Sequence, residues 1–185
     1  MMTEISLNIL DVAENSTRAK AKVVQITVDI DEAKDLLTVI IKDDGCGMSE
    51  EQLASVQDPF FTTRSTRKVG LGVPFLKEAA LQANGSFNIE SELSVGTTVT
   101  TTFQIKNIDR MPLGDITSTI HQLVIYHPDT DFVYTYKFND KSFVMDTREF
   151  REVLGDVPLD SREVSEYIKE FLTENKQATD DGKNI

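Results

Sequence analysis

Apolar residues near the start of the chain recur with helical spacing. Between residues 4 and 19 they are separated by steps of three and four, at Ile5, Ile9, Val12, Ala13 and Ser16. This spacing predicts an amphipathic helix whose apolar stripe faces a core. The opposite stripe of the same helix is polar and carries Asn8, Asp11, Asn15 and Arg18.

β-branched and alternating stretches predict four strands after this helix. Residues 23–30 and 36–43 are rich in valine and isoleucine, and the turn sequence "DEAKD" separates them. Residues 86–93 and 97–105 alternate around Ser94-Val95-Gly96. Each pair is therefore predicted to form antiparallel neighbours.

Capping signals place two helices between the strand pairs. Ser49 with Gln52 three residues later is a capping box for a short helix over 49–56. Pro74 near the start of "GVPFLKEAALQANG" and Asn84-Gly85 at its end delimit a second helix. The intervening residues, 57–69, lack periodicity and are predicted to form a loop.

The pattern changes after "KNIDRMPLGD", which we interpret as a boundary between a first unit of residues 1–106 and a smaller unit of residues 107–185. The second unit is predicted to be α+β, with a polar tail. Its pattern predicts three short strands and then two helices, over residues 122–126, 132–138, 142–146, 147–154 and 161–176.

Composition limits the classes of function. The chain has 185 residues, 39% hydrophobic and 27% charged, as expected of a globular protein. No apolar run approaches the roughly 20 residues that span a bilayer, and no signal peptide is evident. The single cysteine, Cys46, excludes an internal disulfide and fits a cytoplasmic location. A net charge of −12 argues against nucleic-acid and membrane partners.

Against that charge, the basic segment "TTRSTRK" at residues 62–68 is a local exception. It places four hydroxyl side chains and three cations immediately before the glycine pair of "VGLGVP". Backbone N–H groups at a helix start bind anions, so the segment is typical of a polyphosphate site. The alternative interpretation is a solvated charged loop.

Two further motifs carry candidate chemistry. "DDGCGM" at 43–48 follows a predicted strand and can present the Asp43 carboxylate to a ligand while the backbone passes underneath. Calcium loops and plain turns share this pattern. Asp11 and Asn15 lie one helical turn apart on the polar stripe. The Asp11 carboxylate can transfer a proton and the Asn15 amide oxygen can bind Mg²⁺. The alternative interpretation is a solvated helix face.

Taken in order, these motifs resemble the conserved boxes of the GHKL ATP-binding superfamily. "LDVAENSTRAKA", "DDGCGM", "DPFFTTR", "VGLGVPFLK" and "VGTTVTTTF" occur with the order and approximate spacing of that superfamily's boxes over about residues 3–105. "DPFFTTR" followed by Gly-Leu-Gly is most similar to sensor histidine kinases, and "ENSTRAKA" to mismatch-repair ATPases. Residues 58–69 would form a lid over the bound ATP. The resemblance implies a GHKL (Bergerat) two-layer α/β sandwich, with a mixed sheet covered by helices on one face.

The resemblance also implies roles for individual residues. Asn15 would hold Mg²⁺ against the phosphates of ATP, and Asp43 would accept a hydrogen bond from the adenine amino group. The remaining ATP-binding positions would be those of the base pocket, the lid and the helix start: Gly45, Gly47, Met48, Thr62, Thr63, Arg64, Lys68, Gly70, Leu71, Gly72, Thr97 and Thr98. Asp11 occupies the position of a general base.

Three functions remain open on this basis. The domain is expected to act as a histidine-kinase-like enzyme on a separate protein or to switch a partner according to its nucleotide state. Only fourteen residues precede Asn15, which leaves no room for a phosphoacceptor helix pair. Alternatively, Asp11 activates water in a mismatch-repair-like hydrolase, or the chain is a non-catalytic nucleotide sensor. A partner protein is expected in the first and third cases, and a homodimer is possible in all three.

Overall fold

The computed structural model describes residues 3–56 and 72–185, in which pairs of strands are separated by one or two helices. The helices described are α1 (Ile5–Arg18), α2 (Glu50–Val56), α3 (Gly72–Gln82), α4 (Ile116–Tyr126), α5 (Thr147–Leu154) and α6 (Arg162–Asp180). The strands are β1 (Val23–Asp31), β2 (Leu36–Asp43), β3 (Phe87–Glu92), β4 (Gly96–Gln104), β5 (Asp131–Phe138) and β6 (Lys141–Asp146).

The six described strands form one mixed sheet in the order β3-β4-β2-β1-β5-β6. Four of the five strand pairs are antiparallel, including the predicted pairs β1–β2 and β3–β4. The exception is β1 with β5, which run parallel from Val23 opposite Asp131 to Ile30 opposite Phe138. This parallel pair makes the sheet continuous from β3 to β6.

One face of the sheet is buried and carries the core. In β1 the alternate residues Val24, Ile26, Val28 and Ile30 are at most 1% exposed. The buried residues of neighbouring strands stand beside them in register. Helix α1 packs over β1 and β2, α3 over β3 and β4, and α4 and α6 over β5. The prediction of an α+β, GHKL-type sandwich with a mixed sheet is therefore confirmed.

Helix α1 forms as predicted, and its first turn is held by a distant segment. The backbone N–H groups of Ile5 and Ser6 donate to the carbonyls of Pro112 and Leu113, at 3.0 and 2.9 Å. Those N–H groups have no partner inside a helix, so the 112–113 segment completes the helix start. The start and axis of α1 are thereby fixed relative to the sheet.

The prediction of a strand over residues 122–126 is wrong, because these residues end helix α4. Asp115 caps the helix by accepting a hydrogen bond from the Ser118 backbone N–H at 2.9 Å. Buried residues then recur with a helical period, at Ile116, Thr119, Ile120, Leu123 and Val124. The β-branched composition of the segment favours a strand, but packing of this stripe against α1 and α6 determines the structure.

The predicted boundary near residue 106 stays a prediction, although residues on both sides of it contribute to the same sheet. Strand β5, from the second unit, adds directly to β1 of the first. In the described ranges 3–56 and 72–185, no helix combines the length and the apolar character needed to cross a membrane.

Candidate functional site

A cavity of about 830 Å³ opens beside the C-terminal half of α1, at the ends of β2 and β4. Its floor and walls are largely apolar and are formed by Val12, Ile41, Met48, Val56, Val73, Ile89 and Val99. Among its polar lining residues are Asn15, Ser16, Asp43 and Thr97. A largely apolar cleft of this size with a few convergent polar groups is typical of a small-molecule site.

Asp43 is the buried acidic group of this cavity. It ends β2 and is only 8% exposed, and its side chain accepts three hydrogen bonds from three different elements. Oδ2 accepts from the Ser16 hydroxyl at 2.5 Å, and Oδ1 accepts from the backbone N–H groups of Gly45 at 2.9 Å and Thr97 at 3.3 Å. These donors fix the carboxylate in one orientation and compensate for its burial.

Of the two threonines predicted to support Asp43, only Thr97 lines the cavity in the described part of the chain. Its backbone lies directly opposite Asp43 in the β2–β4 register, and its hydroxyl is 2.8 Å from that of Ser91. Thr98 is paired with Lys42, so the alternation of the strand directs it to the opposite face of the sheet. The Ser91 hydroxyl also accepts from the Met48 backbone N–H at 2.9 Å, which holds Met48 at the cavity wall.

The turn after Asp43 needs glycine at residue 47. Gly47 has a φ of +64°, a left-handed conformation, and a Cβ there would collide with the carbonyl of Glu92. The close approach of these two backbones places Gly47 and Met48 against the end of β3. The turn thus forms one rim of the cavity.

Asp11, on α1, packs against the start of α3 and is not among the described residues that line the cavity. A Cβ at Gly72 would lie 2.7 Å from the Cβ of Asp11, so a glycine there allows the two helices to touch. Burial raises the pKa of the Asp11 carboxyl above its ordinary value of 3.8. The nearby positive charge of Arg18 lowers this pKa and the negative charge of Glu14 raises it, with smaller effects than burial. The position combines a half-buried carboxylate with the first turn of a helix.

Asn15 lines the cavity one helical turn after Asp11, and cations accompany it. Its Oδ1 accepts a hydrogen bond from the Arg18 guanidinium at 3.4 Å. Arg18 and Lys20 both line the cavity, and the sequence analysis assigned neither of them to the site. Their positions three and five residues after Asn15, around the end of α1, are the signal that could have identified them.

Ser16 is the other residue that the sequence analysis missed. It was assigned to the apolar stripe of α1, and at 3% exposed it is indeed buried. Its hydroxyl, however, reaches across to Asp43 and forms part of the cavity. A serine within an otherwise apolar stripe is the signal that could have indicated a buried partner for a polar group.

Six predicted site residues lie outside the described residues: Thr62, Thr63, Arg64, Lys68, Gly70 and Leu71. Thr98 lies on the opposite face of the sheet, and the remaining residues fall into two groups. The first group lines the cavity and consists of Asn15, Asp43, Gly47, Met48 and Thr97. Gly45 supports this group through its backbone N–H, which donates a hydrogen bond to Asp43. Asp11 and Gly72 lie together at the start of α3.

Comparison with known proteins shows which family the chain resembles. Residues 1–107 match the family model described as "Histidine kinase-, DNA gyrase B-, and HSP90-like ATPase". The sensor protein SrrB of Staphylococcus aureus is 34% identical over 102 residues, which are 52% of this chain and 17% of that protein. The sensor histidine kinase YvrG of Bacillus subtilis is 29% identical over 94 residues, 49% of this chain and 16% of YvrG.

The chain thus matches about one sixth of the length of these curated relatives. Among solved structures, the N-terminal domain of a DNA repair protein superposes with a TM-score of 0.53. That match covers 78% of this chain and 52% of the other at 13% identity, so it supports the fold alone.

Proposed function

Because the chain belongs to the histidine kinase-, DNA gyrase B- and HSP90-like ATPase family, we propose that it binds Mg²⁺-ATP in the cavity beside α1 and transfers the γ-phosphate to a separate protein. The observation that carries the proposal is Asp43, a buried carboxylate fixed by three donors in an apolar cleft. Such a group accepts a hydrogen bond from a base that presents an amino group at its edge. Adenine is such a base.

The described residues fit the proposed ligand. The apolar side chains of the cavity suit a purine ring, and its volume of about 830 Å³ is in the range of small-molecule sites. Arg18 and Lys20 line the cavity and supply positive charge for the phosphates of ATP. The start of α3, beside Asp11, would contribute free backbone N–H groups to the phosphates.

A magnesium ion fits this arrangement through Asn15. Within residues 3–56 and 72–185, no group of three or more His, Cys, Asp or Glu side chains could hold a metal by itself. Mg²⁺ usually keeps several waters and is held largely by substrate phosphates, so one amide oxygen is a sufficient protein contribution. Asn15 lines the cavity, which supports that role. The ion would neutralise charge on the phosphates.

Replacing Asn15 tests the metal assignment. We expect Asn15→Ala to bind ATP with the same affinity in the presence and in the absence of Mg²⁺, because the protein ligand is lost. Asn15→Asp keeps an oxygen ligand and should keep the dependence on Mg²⁺. Isothermal titration with ATP in magnesium and in EDTA measures the difference. A Mg²⁺ dependence in Asn15→Ala equal to that of the wild type would exclude Asn15 as the ligand.

Two fates of the γ-phosphate have support. Transfer to a protein is supported by the relatives that are named sensor histidine kinases. Hydrolysis is supported by Asp11, a half-buried carboxylate with a raised pKa beside the proposed phosphate site. A raised pKa brings a carboxylate closer to the value at which it can accept a proton effectively.

Asp11→Asn should slow turnover of ATP by about 10²- to 10⁴-fold and leave ATP affinity nearly unchanged, because it removes proton transfer without removing a ligand. The wild-type rate should fall as the pH decreases, since Asp11 must be ionised to accept a proton. Burial raises the pKa of Asp11, so this acidic limb should lie above pH 3.8, the ordinary value of the group. Wild-type rates in Asp11→Asn would remove Asp11 as the base.

Single-turnover reactions with γ-labelled ATP distinguish the two fates. We expect label on an added phosphoacceptor protein if the domain is a kinase, and free phosphate without any acceptor if it is a hydrolase. The protein concentration should exceed that of ATP, so that one turnover is observed directly. Binding of ATP without either product would favour a nucleotide sensor.

A further inference from the structure

We propose that Ser16 reads the nucleobase together with Asp43, and that the pair selects a purine with an amino group over one with a carbonyl at the same position. This inference rests on the proposed binding of ATP in the cavity. It concerns a residue of α1 that the family resemblance did not assign. The Ser16 hydroxyl donates its hydrogen bond to Asp43.

The Ser16 hydroxyl has a single proton, and that proton is already used. Ser16 Oγ donates to Asp43 Oδ2 at 2.5 Å, within the range for a hydroxyl bonded to an ionised carboxylate. A serine hydroxyl carries one donor and two acceptor lone pairs. With its proton directed at Asp43, Ser16 presents only lone pairs to its other surroundings, and the cavity is among them.

Asp43, like Ser16, can only accept further hydrogen bonds. Its two oxygens accept from Ser16, Gly45 and Thr97, and an ionised carboxylate has no proton to offer. Asp43 and Ser16 are therefore two adjacent acceptors at the end of an apolar cleft. Both are at least nine-tenths buried, so water cannot easily replace a missing partner for either of them.

Two adjacent buried acceptors distinguish the purines that differ at position 6. The 6-amino group of adenine offers two protons to this pair. The 6-oxo group of hypoxanthine or guanine offers an oxygen lone pair, which would face two acceptors with no proton between them. A site built to bond a donor rejects the analogue that lacks it, because its polar groups remain unpaired.

ATP and ITP provide the test, because their bases differ at this position and share a nearly identical shape. We expect the wild-type protein to bind ATP more tightly than ITP. In Ser16→Ala the affinity for ATP should fall about tenfold, as for the loss of one buried hydrogen bond. The affinity for ITP should stay the same or rise, because one of the two repelling acceptors is gone. The ATP/ITP ratio should therefore narrow.

Ser6→Ala is the matched control. Ser6 is a second buried serine on α1, 1% exposed, and its hydroxyl donates to the Glu4 carboxylate at 3.1 Å, away from the cavity. It should keep the wild-type ATP/ITP ratio. Ser16→Thr retains the hydroxyl and should also keep it. Ser16→Cys, with a weak donor of similar size, should give an intermediate ratio and replaces the alanine variant if that variant does not fold.

The possible results distinguish a failure of the Ser16 role from a failure of the proposed ATP binding. A wild-type protein that binds neither nucleotide rejects the proposed function and this inference with it. A wild type that prefers ATP, with the same preference in Ser16→Ala, leaves the function intact and overturns the role of Ser16. Equal losses of ATP and ITP affinity in Ser16→Ala would mean that Ser16 only supports the local structure, and would also overturn it.

Discussion

Replacing Asp43 with asparagine should weaken ATP binding by about 1–3 kcal/mol and remove the preference for adenine. The carboxylate accepts from Ser16 on one oxygen and from Gly45 and Thr97 on the other. An asparagine can keep only one of these oxygens. Its NH₂ group would face either the backbone donors or the side on which Ser16 and the base meet. Calorimetry with ATP measures the loss.

Asp44→Asn controls for the loss of a carboxylate in the same turn. Asp44 is exposed, and its Oδ1 accepts from the backbone N–H groups of Lys22 and Val23 at 2.7 and 2.9 Å, so it too supports local backbone. It does not contribute to the described cavity and should leave ATP affinity unchanged. Unchanged affinity in Asp43→Asn as well would rule out Asp43 as the base-reading group.

The second large effect is expected far from the cavity, at Asp180. This residue is fully buried near the end of α6, where it accepts from the Tyr136 hydroxyl at 2.8 Å and from the Lys176 ammonium at 2.6 Å. Asp180→Ala should lower the free energy of unfolding by about 3–5 kcal/mol, because it leaves the Lys176 charge and the Tyr136 hydroxyl without a buried partner. Urea denaturation followed by circular dichroism measures this change.

The next residue supplies the control. Asp181 also forms an ion pair, with Lys141 at 3.0 Å, but its side chain is 73% exposed. Asp181→Ala should therefore change the unfolding free energy by only about 0–1 kcal/mol. If the two alanine variants were equally stable, Asp180 would not be the residue that attaches the end of α6 to β5.

Local patterns predicted the elements whose partners lie nearby in sequence. The α1 stripe, the capping box of Ser49 and Gln52, and the β1–β2 and β3–β4 pairs all depend on neighbours within about twenty residues. The prediction of a strand at the end of helix α4 was wrong because the β-branched residues there favour a strand locally. They become helical only through packing on α1 and α6. The parallel pairing of β1 with β5 had no local signal at all.

The residues of the candidate site divide in the same way, into those with nearby partners in the sequence and those with distant ones. Asp43 and Gly47 were predicted because the turn that contains them is contiguous in sequence. Ser16 was missed because its hydrogen-bond partner, Asp43, lies 27 residues away: a serine in the apolar stripe indicates a buried polar partner, but the helical pattern does not show which residue that partner is. Thr97 could be distinguished from Thr98 only once the register of β4 against β2 was known.

The pairing of β1 with β5 also has a consequence for synthesis on the ribosome. Val23 pairs with Asp131, so one edge of β1 has no partner until more than a hundred further residues have been made. At 5–20 residues per second this interval lasts roughly 5–20 s. During that time the nascent chain exposes the edge of a valine- and isoleucine-rich strand, the kind of edge that pairs with other chains. Chaperone demand should therefore peak before β5 emerges and drop once it has docked.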